Sequence, residues 1–157
     1  MSDALSRLGR EIASRLAAAG VPDEQLAELV PARRVGPFTR GPRFVAAGRA
    51  WRLGAVLVDR EGRMWSTGTA TRAVEPRPFA SDKTLAGEQR REVQRLAARA
   101  FRDGETVDFD HRPLDIGEGG AVIERDGELL LRLPNAEVAL ADYLEDRATL
   151  AVEARGR

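Results

Sequence analysis

The chain of 157 residues contains no cysteine. That absence excludes disulfides, thiol nucleophiles, iron-sulfur clusters and thiolate zinc sites, and it fits a reducing compartment. Histidine occurs once, at His111, and lysine once, at Lys83, so 24 of the 25 basic residues are arginine. Together with abundant Ala and Gly, that skew reflects a GC-rich coding sequence more simply than a demand for guanidinium chemistry. Aromatic residues make up only 5%. No long apolar run occurs either: Arg7, Arg10, Glu11 and Arg15 interrupt the first twenty residues, so neither a signal peptide nor a membrane span is expected, and the reading is cytoplasmic with no membrane partner.

What is present suits one globular domain over 1–157: 43% apolar and 32% charged residues, with no low-complexity tract. The net charge of zero hides segregation. Between Pro31 and Arg77 ten arginines stand against three acids, net +7; between Asp103 and Glu153 fourteen acids stand against four arginines, net −10. Opposite ends can neutralise one another within the fold, pair across a homodimer, or face separate partners.

Leu5, Leu8, Ile12, Leu16 and Ala19 predict an amphipathic helix, capped by Ser2 or Asp3 and ended at Gly20. A shorter helix is predicted over 22–30, and 31–42 reads as an extended Pro/Arg-rich arm. Runs 49–58 and 63–73 predict a hairpin about residues 59–62, with Trp51, Leu53, Ala55 and Leu57 sharing a face with Met64, Ser66, Gly68 and Ala70. Residues 82–103 predict the central helix, opened by Ser81 and closed by Gly104, with Leu85 on its buried stripe and Arg91, Arg95, Arg99 and Arg102 opposite. A strand over 105–110 follows. A second hairpin turns at Asp126 and Gly127, and Asn135 caps a final helix, whose end could also alternate as a strand. The fold class is α+β: an antiparallel sheet of two hairpins plus an extra strand, packed by about three amphipathic helices.

The candidate chemistry is sparse. His111 beside Asp108 and Asp110 could serve acid-base work, as a small amide or phosphoester hydrolase would need, or a hard metal; polar residues at a strand end are more commonly solvated, so no metal and no cofactor is assigned. Ser66 and Ser81 lie in no nucleophile elbow. The turn at Gly117, Glu118, Gly119 and Gly120 leads to a strand and carries an acid, unlike a phosphate loop. Binding is the stronger signal: Arg33, Arg34, Arg40, Arg43, Arg49 and Arg52 interleave with Phe38, Phe44 and Trp51, with no acid between Pro31 and Val58. Guanidinium groups and aromatic faces suit nucleic acid, and equally an acidic protein surface or the acidic half of a second copy. The expectation is a non-enzymatic module binding an acidic protein or itself, ahead of nucleic acid.

The run Gly48, Arg49, Ala50, Trp51, Arg52, Leu53, Gly54, then Gly62, Arg63, Met64, Trp65 and Gly68, Thr71, Arg72, Ala73, resembles the centre of small uncharacterised proteins of high-GC bacteria. Some of these carry a glutaminase label, which implies amide hydrolysis of a small amino acid. The sequence holds neither the S-x-x-K nucleophile nor the cysteine such chemistry uses.

Overall fold

A computed structural model of the chain describes residues 2–77 and 83–157. Its elements are α1 (Asp3–Ala18), β1 (Glu24–Val30), β2 (Arg33–Val35), β3 (Phe38–Arg40), β4 (Arg43–Leu53), β5 (Val56–Val58), β6 (Met64–Ser66), β7 (Thr69–Arg72), α2 (Leu85–Ala100), β8 (Thr106–Phe109), β9 (Arg112–Pro113), β10 (Val122–Arg125), β11 (Glu128–Leu133), β12 (Ala136–Ala139) and α3 (Leu140–Arg155). The fold is α+β, with three helices, a mixed sheet of order β7-β8-β1-β4-β5-β6-β9, and two small antiparallel sheets, β10-β11-β12 and β2-β3. No helix among the described residues is long and apolar enough to cross a membrane. The chain divides into two compact units, one of residues 1–23, 49–67 and 111–157, the other of residues 24–48 and 68–110.

In the first unit α1 starts where Ser2 accepts the Leu5 amide, and it buries Leu5, Gly9, Ile12, Ala13 and Leu16, a helical stripe. These side chains join Trp51, Leu53, Val56, Val58, Met64, Val122, Leu131, Leu140 and Leu144 in one core. The face shared by the strands differs from the sequence reading. The run 49–58 does not continue as one strand: it folds back at Gly54 and Ala55, so that Leu53 pairs with Val56 and Trp51 with Val58. Gly54, at φ 64°, supplies the positive dihedral of a two-residue turn. The fold-back shifts the side-chain parity, so Val56, Val58 and Met64, in place of Ala55 and Leu57, lie beside Trp51 and Leu53.

The turn at 59–62 is built by Asp59. Its carboxylate is buried and accepts the Glu61 amide at 3.0 Å, the Arg63 amide at 2.8 Å and Arg63 Nε at 2.7 Å. β10 and β11 join through Asp126 and Gly127, both at positive φ (53° and 79°), as the type I′ signal predicts. The last helix begins later than Asn135. Pro134 and Asn135 form another tight turn, β12 pairs back onto β11, and α3 starts at Leu140 with no side-chain cap, continuing as helix to Arg155.

In the second unit the segment predicted as a short helix over 22–30 is β1, paired in parallel with β8 through Gln25↔Val107 and Leu26↔Asp108. Adjacent Leu26 and Ala27 are both buried, so the strand shows no alternation and its local pattern is that of a helix segment. β7 pairs antiparallel with β8, with Gly68 pressed so near the Asp110 carbonyl that a Cβ there would sit 2.3 Å from it. That approach, not a helix seat, is what the glycine serves. α2 packs Leu96 and Ala97 against Ala27, Phe44, Ala73, Val107 and Phe109. Ser81 lies outside the described residues; the cap of α2 is Thr84, whose hydroxyl accepts the Gly87 amide at 3.1 Å. The helix closes at Phe101 before reaching Gly104, and Leu85 in its first turn is exposed rather than buried.

Candidate interaction surface

The arm over 31–42 is a β-hairpin. β2 and β3 pair as Arg33↔Arg40, Arg34↔Thr39 and Val35↔Phe38 around Gly36 and Pro37. Gly36 has φ 59° and the proline ring holds its own φ near −65°, the sign pattern of a II′ turn, which matches the right-handed twist of the flanking strands. Every residue from Pro31 to Pro42 is exposed, and Phe38 retains 75% of its surface in solvent.

Register sorts the side chains. Residues directly opposite share a face, and the period along each strand is two, so Arg33, Val35, Phe38 and Arg40 lie on one face while Arg34 and Thr39 lie on the other. Arg33 and Arg40 are thus like charges placed directly across from each other, an arrangement that costs stability in an isolated hairpin. Neither they nor Arg34 forms an ion pair with a carboxylate among the described residues.

The other residues of the arginine and aromatic series have different settings. Phe44 belongs to the core of the second unit, where its ring meets Phe109 edge-on at 5.1 Å. Arg43, just before it, is half-buried, and its Nη1 is buried without a hydrogen-bond partner. In the first unit Trp51 is 2% exposed, its indole N–H donates to the Val21 carbonyl at 2.8 Å, and the Arg60 guanidinium covers its ring at 5.0 Å. Arg49 is held by Asp23 at 2.7 Å, and Arg60 reaches the other oxygen of the same carboxylate at 3.2 Å. Arg52 is exposed on β4. Two of the three aromatics are therefore core residues, and the exposed set that the fold gathers is Arg33, Arg34, Arg40 and Phe38.

Val35, Gly36 and Pro37 complete that set and were not singled out by sequence. Their signal was available in Arg-Arg-Val-Gly-Pro-Phe-Thr-Arg: two short alternating runs about a Gly-Pro turn. The strands are only three residues each, below the length at which alternation is persuasive.

The residues considered for catalysis are placed as follows. Asp108 is buried on β8, whereas Asp110 lies beyond the strand end at φ 57° and is exposed, so the two do not continue one strand face. His111 belongs to the other unit, half-buried, with its ring edge-on to Trp65 at 5.9 Å. Ser66 donates its hydroxyl to the Arg112 carbonyl at 3.4 Å. Among the described residues no group of three or more His, Asp or Glu side chains is gathered as a metal site. Gly117 to Gly120 form a turn closed by the Gly120 amide on the Gly117 carbonyl at 3.0 Å, and a Cβ at Gly120 would press on Asp115. On α2, Arg95 pairs with Glu92 at 3.0 Å, Arg91 is half-buried and Arg99 is exposed, while Arg102, expected on the same helix face, lies past the helix end and is exposed. Compared with known proteins, no family model, no curated protein and no solved structure matches the chain.

Proposed function

We propose that this chain is a binding protein that meets an acidic macromolecule through the hairpin of residues 33–40. The observation that carries the reading is the cross-strand pair Arg33↔Arg40 beside an exposed Phe38. Two guanidinium groups facing each other without a carboxylate are repulsive alone and favourable once an anion lies between them. A large exposed aromatic next to them adds apolar area that no core covers, as anchor residues at interfaces do. Three other arginines of the same basic segment are paired within the chain: Arg49 and Arg60 with Asp23, and Arg63 with Asp59.

The test is retention on an immobilised polyanion at stepped salt, combined with sedimentation to measure self-association. The wild type is expected either to be retained and eluted by salt or to form a salt-sensitive dimer, and the double variant Arg33→Gln/Arg40→Gln to lose that behaviour while keeping its circular dichroism spectrum. A monomer that passes through unretained at low salt contradicts the proposal.

A further inference from the structure

We infer that the partner of this hairpin is B-form duplex DNA, with the two-stranded ribbon entering the major groove; the inference rests on the binding role proposed above and names its ligand. Three observations favour a groove over a flat acidic protein surface.

The first is the distribution of charge on the ribbon. Arg33 and Arg40 project from one face and Arg34 from the other, and all three are exposed. A flat surface can meet only one face of a thin ribbon, leaving the opposite arginine idle. A groove has a phosphate wall on each side, so both faces find anions together.

The second is size. Paired strands lie about 4.8 Å apart, and a two-stranded ribbon is a known fit for the major groove of B-DNA, about 12 Å wide. The narrow, deep major groove of A-form RNA does not admit it.

The third is the tip. Val35 and Phe38 flank Gly36 and Pro37, and Val35 at 49% and Phe38 at 75% are among the exposed large apolar side chains. An apolar end is a poor match for a phosphate surface. It suits the groove floor, where thymine methyl groups offer the main apolar contact. No acid stands between Pro31 and Val58 to repel the backbone as the ribbon enters.

Anisotropy titrations of the full chain with a fluorescent 20-bp DNA duplex, the matching single strand, the matching RNA duplex and polyglutamate test the inference. DNA duplex binding is expected to be at least tenfold tighter than binding to the other three. Three phosphate contacts give a slope of log K against log salt near about −2.7, a loss of about 40-fold between 50 and 200 mM salt. Arg33→Gln and Arg34→Gln, on opposite faces, are each expected to lower the magnitude of that slope by about 0.9. Phe38→Ala should weaken binding about tenfold with the slope unchanged.

Polyglutamate or the single strand binding as well as the duplex overturns the DNA inference while leaving the acidic-partner proposal intact. So does an Arg34→Gln variant indistinguishable from wild type when Arg33→Gln is impaired. Absence of binding to every polyanion, with no self-association, overturns both.

Discussion

At the scale of single residues, the close approach of Gly9 on α1 to Gly62 in the turn between β5 and β6 shows how little room the first core leaves. A Cβ on Gly9 would sit 2.0 Å from the Gly62 carbonyl oxygen, and one on Gly62 would sit 2.5 Å from the Arg10 amide nitrogen. Both obstacles are backbone, so neither can swing aside. Gly9→Ala is expected to cost about 3 kcal/mol through overpacking, read as a lower midpoint in urea unfolding. Asp59 is the polar counterpart. It is 3% exposed and supplies the acceptors for the Glu61 and Arg63 amides and for the Arg63 guanidinium. Asp59→Ala would leave these donors without their partner and is expected to lower stability by about 2 kcal/mol in the same measurement, with loosening of the turn visible as faster amide exchange at Glu61 and Arg63.

At the scale of elements, helix α2 gains its start from Thr84, and Thr84→Ala is expected to reduce unfolding free energy by about 1 kcal/mol. The hairpin of residues 33–40 gives the opposite sign. Arg40→Thr removes a like-charge opposition and places a good strand former there, so stability should rise by about 0.5 kcal/mol in thermal or urea unfolding while polyanion binding weakens. A substitution that stabilises the fold and impairs binding is the mark of a residue kept for contact. These elements were unequally legible in the sequence. α1, the stripe of Leu140, Leu144 and Ala148 on α3, and the turn at Asp126 and Gly127 were readable because each carries its own period or turn residue. β1 was not, because its parallel partner β8 lies some eighty positions away and burial of both Leu26 and Ala27 erases the alternation that marks a half-exposed strand. The fold-back at Gly54 was missed for a related reason: the apolar residues on both sides of it fit one longer strand equally well. At the candidate site, the exposed arginines of the arm were readable from its punctuated composition, but nothing local distinguishes Phe38, left in solvent, from Phe44 and Trp51, taken into cores. Burial is decided by register and by residues distant in the chain, which the letters themselves do not encode.

At the scale of the whole molecule, the segregated positive charge falls into two kinds. Of the ten arginines between Pro31 and Arg77, Arg49, Arg60 and Arg63 are paired with Asp23 and Asp59 and hold the first unit's turns in place. Arg33, Arg34 and Arg40 project from an element that contributes nothing to either core, since both are complete without any residue of the hairpin. A neutral net charge is therefore compatible with a local cationic ribbon, and the proposed association rests on the ribbon and not on the total. The most direct measurement replaces the charge and keeps the turn: Arg33→Thr, Arg34→Thr and Arg40→Thr together, with Gly36 and Pro37 retained, followed by thermal unfolding and duplex-DNA titration on the same sample. A melting temperature equal to or above that of the wild type, with binding reduced at least a hundredfold, is the predicted result; binding retained within twofold contradicts the role given to the hairpin.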